Sequence, residues 1–118
     1  MAFEEMLLAA QNGKKSCVCV GLDPDPTNEK FPRRFVSHSS GGSLLEFSEH
    51  VVTMTARHAC CFKVNMGFFL RYGSPGISAL EGLVCFIRDS EPDTPVILDF
   101  KSQDIGNSAC QYAAFAFD

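Results

Sequence analysis

No run in this 118-residue chain approaches the ~18 consecutive apolar residues of a membrane-spanning helix. The first fifteen residues, MAFEEMLLAAQNGKK, carry Glu4 and Glu5 where a secretory leader would be basic. The expected address is therefore the cytoplasm. Basic residues are also scarce: 10 Lys and Arg stand against 14 Asp and Glu, for a net charge of −4. A general nucleic-acid binder would show a basic face, and Arg33-Arg34 alone reads as an ordinary solvated loop. No C-x-x-C pair occurs among the 6 cysteines, so zinc spacing is missing. Cys17 and Cys19 fall inside an apolar run and read as buried, reduced thiols. His50 and His58 would stand about 12 Å apart along a helix, too far to share an ion. No metal site is expected.

What is present is an alternation. Phe3, Met6, Leu7 and Ala10 recur at helical spacing, with Gly13 placed to stop the helix and Lys14 and Lys15 suiting its negative end. SCVCVGLDPDP reads as a short buried strand closed by a Pro-rich turn, with Asp23 at its tip because Pro24 favours an extended residue before it. TNEKFPRRFVSHSSGGS reads as a loop. Ser43 with Glu46 has the spacing of a capping box, and Leu44, Phe47, Val51 and Met54 would face the core. ACCFKVN is a second strand and YGSPG a turn. Ser78 with Glu81 suggests another helix start, with Leu80, Leu83, Val84 and Ile87 inward. TPVILDFK is a third strand, and DIGNSACQYAAFAF begins a helix. Strand and helix in turn, repeating about every 36 to 40 residues, predict an α/β fold with a parallel sheet.

The charged residues fall at one place in each repeat. Asp23, Lys63 and the pair Asp99 and Lys101 end successive strands, the edge where parallel α/β proteins bind ligands. Asp99 and Lys101 are two apart, so on a strand they share a face. A lone Asp-x-Lys could be a structural ion pair; groups on three successive strand ends favour a functional cleft.

Those residues carry a family resemblance. VGLDPDP, FKVNMGFFLRYGSPG and ILDFKSQDIGNSACQYAAFAFD together resemble orotidine 5'-phosphate decarboxylases of the bacterial type, and D-x-K-x-x-D-I is the specific part. The resemblance implies a (β/α)8 TIM barrel working as a homodimer without metal or organic cofactor. It implies decarboxylation of orotidine 5'-phosphate to uridine 5'-phosphate in de novo pyrimidine biosynthesis. Lys101 would be the proton donor, Asp99 would lie beside the departing carboxylate, and Lys63 would orient Asp99 and touch the ribose. Asp104 would reach into the partner's site and complete a Lys-Asp-Lys-Asp array. Asp23 and Ser108 would contact the ribose and Ile105 would line the base pocket.

Two departures from the family pattern stand out. Ser102-Gln103 stands where the family has Arg-Gly, and Ser108 replaces a threonine while keeping its hydroxyl. Sugar-phosphate decarboxylases and aldolases of the same superfamily share D-x-K-x-x-D, but they place a glutamate at the second strand and bind magnesium; Lys63 argues against them. A whole barrel takes about 250 residues. Residues 1–118 therefore read as the N-terminal part of the barrel domain: an N-terminal helix and the first three βα units, incomplete at the C-terminus. The alternatives are a truncated, inactive product of the same gene family or a non-catalytic binding module. The latter would have no need of Lys101.

Overall fold

The computed structural model describes residues 2–117. Helix α1 spans Phe3–Lys14 and strand β1 spans Val18–Leu22. After a 3-10 turn at Arg33–Phe35 come α2 (Ser40–Thr55), β2 (Ala59–Asn65), α3 (Met66–Leu70) and α4 (Ser74–Ser90). Strand β3 (Val96–Asp99) and helix α5 (Gly106–Phe117) follow. The strands form one parallel sheet in the order β1-β2-β3. The α/β alternation expected from the sequence is therefore the observed architecture.

Side chains alternate across this sheet, as the pleat requires. Phe62 and Val64 of β2, both fully buried, join Leu22 beneath α2 and α4. Leu44 and Val52 of α2 and Leu80, Leu83 and Ile87 of α4 complete that core. The other face carries Cys61, Lys63 and Asn65 on β2 and Ile97 and Asp99 on β3. Helix α1 covers its lower end, where Ala10 and Leu7 pack on Cys60, Cys61 and Ile97. Above them this face is polar.

Several local expectations need correction. Gly13 does not end α1; Lys15 does, with φ 48° and ψ 46°, its N–H donating to the Gln11 carbonyl. Lys14 does more than face a helix dipole. Its Nζ donates to the Ala56 carbonyl at 2.8 Å and to Thr94 Oγ1 at 2.6 Å, and lies 3.1 Å from Glu91 Oε2. Helix α2 starts one turn before Ser43, because Ser39 Oγ accepts from the Gly42 N–H. Ser43 is buried instead, and its Oγ accepts from the Ser37 N–H. Likewise α4 is under way before Ser78, with Gly73 preceding it at φ 61° and Pro75 in its first turn. The inward stripe of α2 is Leu44, Ser48 and Val52, leaving Met54 64% exposed. Phe3 is also largely exposed. Cys17 and Cys19 are exposed, not buried, because the β1 edge away from β2 has no neighbouring strand among the described residues.

Candidate active site

The site is built from the upper ends of the three strands. Parallel register sets Gly21 beside Lys63, Lys63 beside Ile97, and Asn65 beside Asp99. Lys63 and Asp99 therefore rise from the same face of neighbouring strands, one pleat step apart, and Lys63 Nζ stands 4.0 Å from Asp99 Oδ2. Lys101 reaches the same carboxylate by another route. The strand ends at Asp99, and the backbone at Lys101 turns left-handed, with φ 48°. Its Nζ donates to both Asp99 oxygens at 2.5 Å. Strand alternation thus accounts for Asp99 and Lys63, whereas a turn delivers Lys101.

One carboxylate is held between two ammonium groups. Hydrogen bonding from Lys101 holds the Asp99 carboxyl below its ordinary range, and the charges of Lys101 and Lys63 add to the effect. Asp99 is the most enclosed member, with its side chain 21% exposed against 73% for Lys101. The ammonium groups face outward, where a second anion could meet them.

Asp23 stands at the tip of β1, as its sequence position requires. Asn65 Nδ2 donates to Asp23 Oδ2 at 3.0 Å, while Asn65 Oδ1 accepts from the Gly67 N–H and caps α3. Asn65 therefore joins the Asp23 end of the site to the position in register with Asp99. Sequence reasoning gave it no role. The available signal was its place two residues after Lys63, on the same face. Beside Asp23 lies a cavity of about 220 Å³, lined also by Asp25, Asn28, Lys30 and Phe31.

Asp104, Ile105 and Ser108 do not join the cluster within this chain. Asp104 Oδ1 accepts from the Ile105 N–H, Ile105 is 86% exposed, and Ser108 is exposed in the first turn of α5. Asp104 borders a separate apolar cavity of about 580 Å³ between β3, α5 and Phe3. Phe100 and Tyr112 also line it, and Phe100 stacks on Phe115 at 5.7 Å. This cavity is larger than the space beside Asp23, but none of the charged trio lines it. No group of three His, Cys, Asp or Glu side chains among the described residues could hold a metal ion.

A parallel sheet with functional groups at the carboxyl ends of its strands defines a class, the α/β proteins that bind ligands at that edge. Comparison with known proteins narrows it. A sequence model of the orotidine 5'-phosphate decarboxylase / HUMPS family matches residues 16–118. The orotidine 5'-phosphate decarboxylase of Aromatoleum aromaticum is 42% identical over 118 residues, and that of Cupriavidus necator is 40% identical. Each alignment covers 100% of this chain and 41% of the relative. A candidate orotidine-monophosphate-decarboxylase of Toxoplasma gondii superposes with a TM-score of 0.83 at 35% identity, over 97% of this chain and 36% of the other. The Leishmania donovani OMP decarboxylase superposes with a TM-score of 0.79 at 27% identity, over 100% and 40% of the two chains. The chain belongs to the orotidine 5'-phosphate decarboxylase / HUMPS family. It spans about 41% of the length of the curated relatives it matches, and its three βα units correspond to part of their barrel.

Proposed function

We propose that these residues are the N-terminal part of a barrel domain that decarboxylates orotidine 5'-phosphate to uridine 5'-phosphate, and that they carry the groups acting on the scissile carboxylate. The observation that carries this reading is the convergence of Lys63, Asp99 and Lys101 on one sheet face. Loss of carbon dioxide from the pyrimidine leaves a localised carbanion that the ring cannot delocalise. A fixed ammonium stabilises such a charge without reorganising at the moment of reaction. Lys101 is that ammonium and then the proton donor. Asp99 keeps Lys101 placed and confronts the substrate carboxylate, and Lys63 steadies Asp99 from its other side. Binding energy from ribose and phosphate supports the chemistry, since contacts remote from the reacting carbon can be used to orient it.

Asp23, presented by Asn65, is placed to take a ribose hydroxyl. Asp104, Ile105 and Ser108 serve a second copy in a homodimer, which agrees with their exposure and with Asp104 bonding the Ile105 N–H rather than the trio. No metal or organic cofactor enters this scheme. The reaction belongs to pyrimidine biosynthesis, and its place is the cytoplasm; no helix among the described residues is long and apolar enough to cross a membrane.

The test is a chimera in which these 118 residues replace the matching 41% of the Aromatoleum aromaticum relative. It should form uridine 5'-phosphate, and Lys101→Ala should lower its rate by about 10²-fold or more, as loss of a charge-stabilising group does. A chimera that turns over equally well with alanine at this position would refute the role given to Lys101. The 118 residues alone should show no turnover, because phosphate sites of such barrels come from loops after the seventh and eighth strands.

A further inference from the structure

Helix α3 is 5 residues long, and the residue flanking each of its ends reaches back to the turn that follows β1. At its front, Asn65 uses both ends of its side-chain amide. Nδ2 donates to Asp23 Oδ2 at 3.0 Å, and Oδ1 accepts from the Gly67 N–H at 3.2 Å. Each contact fixes the orientation of the amide for the other. The second Asp23 oxygen lies over Gly21, where a β-carbon would meet Oδ1 at 3.2 Å. Behind α3, Arg71 Nη1 donates to Thr27 Oγ1 at 3.3 Å. Thr27 in turn donates to Asp25 Oδ1, through its hydroxyl at 2.6 Å and its N–H at 3.1 Å. Between these two struts Pro24 is fully buried, and the rings of Pro24 and Pro26 restrict the backbone on either side of Asp25. The stretch from Asp23 to Thr27 is thereby pinned to α3 at both ends.

We propose that Asn65 is a positioning residue that sets recognition of the sugar hydroxyl, with α3 serving as a bracket that holds Asp23 in place. This inference rests on the assignment of a ribose hydroxyl to Asp23. A carboxylate takes a hydroxyl well only when its oxygen is presented at the right angle. Asn65 occupies Oδ2, which leaves Oδ1 to accept from the sugar. Asparagine is the residue type this place needs. Its oxygen caps α3 as an aspartate's would, but only the amide nitrogen donates to Asp23. An aspartate at this position would keep the cap and repel Asp23. Capping and positioning are therefore separable by a single substitution. Asn65 also shares a face of β2 with Lys63 and is in register with Asp99. One strand thus sets both the sugar end and the reacting end of the site.

The experiment titrates the chimera with uridine 5'-phosphate and with its 2'-deoxy and 3'-deoxy analogues by calorimetry, so that binding is read apart from decarboxylation. Asp23→Ala should weaken uridine 5'-phosphate and spare one deoxy analogue, which identifies the hydroxyl that Asp23 takes. Asn65→Asp should weaken uridine 5'-phosphate by about 10-fold, the loss of one charge-assisted contact, and spare that same analogue. Added to Asp23→Ala, it should change little. Asn65→Ser keeps a capping oxygen without the donor and should act in the same direction, and Arg71→Met should give a smaller loss of the same pattern. In the 118-residue chain, the Asn65 side-chain amide protons should shift by NMR as Asp23 ionises, and Asp23→Asn should abolish that shift. Equal weakening of ribose and deoxy ligands by Asn65→Asp would overturn the proposal. So would unchanged selectivity in that variant, or amide signals indifferent to Asp23. None of these readouts involves Lys101, so failure of the decarboxylation reading shows separately, as uridine 5'-phosphate formation indifferent to Lys101→Ala.

Discussion

Lys14 offers the sharpest stability test, because its ammonium joins three segments that are distant in sequence. Its Nζ meets the Ala56 carbonyl after α2, and Glu91 and Thr94 between α4 and β3. Replacing it with methionine keeps most of the aliphatic stem and removes the charge. Thr94 is 4% exposed and has this ammonium as the partner of its hydroxyl, so the substitution leaves a buried hydroxyl unpaired. That costs about 1–3 kcal/mol. The Glu91 contact adds little, since both side chains are partly solvated, 20% exposed for Lys14 and 28% for Glu91. The Ala56 carbonyl loses a charge-assisted bond, and the total comes to roughly 2–3 kcal/mol. With a urea slope of about 1.5 kcal/mol/M, the unfolding midpoint should fall by roughly 1.3–2 M. Lys15→Met is the control, because Lys15 is exposed. A Lys14→Met midpoint no lower than that of Lys15→Met would refute this account. A double-mutant cycle with Thr94→Val should give a coupling of about 0.5 kcal/mol or more, since the two groups touch.

Two further outcomes follow from the same geometry. A β-carbon at Gly76 would lie 1.9 Å from the Phe69 carbonyl oxygen, so Gly76→Ala must push α3 away from α4. It should cost about 3 kcal/mol or more, at the upper end of overpacking, whereas Gly13→Ala meets nothing within 4 Å and should be neutral or stabilising in a thermal melt. The Asp99 carboxyl carbon, followed by NMR, should titrate below the ordinary 3.8 and move upward in Lys101→Ala. Because the folded value is the lower one, the stability contributed by this ionised group is fully present above pH 3.8 and is lost as pH falls through the depressed value. An Asp99 midpoint unmoved by Lys101→Ala would show that Lys101 is not its main partner in solution.

The charged trio was partly legible because strand alternation is local physics. Lys63 follows four residues of β2 that bury completely, and its outward turn is a consequence of the two-residue period. Asp99 could be placed in the same way. Lys101 was grouped with them for a reason that does not apply, since its backbone has left the strand and reaches Asp99 through a left-handed turn. Asn65 was passed over because its partner Asp23 is 42 positions away in the chain. The resemblance assigns Asp104, Ile105 and Ser108 to a neighbouring copy, and in one chain they stand apart from the trio.

Read alone, the chain determined its own alternation of strand and helix, the apolar strands, the inward stripe of α4 and the charged residues at the strand ends. Each of these depends on neighbours within about four residues, where periodicity and backbone preference operate. Tertiary structure decided what depends on which segments meet. It exposed Cys19 on an edge strand and Cys17 just before it, set Cys19 opposite Cys61 rather than Cys60, made Lys14 a clasp and gave Asp23 its asparagine. The physical reason is that register and burial are properties of a contact between distant segments, and no single segment carries them.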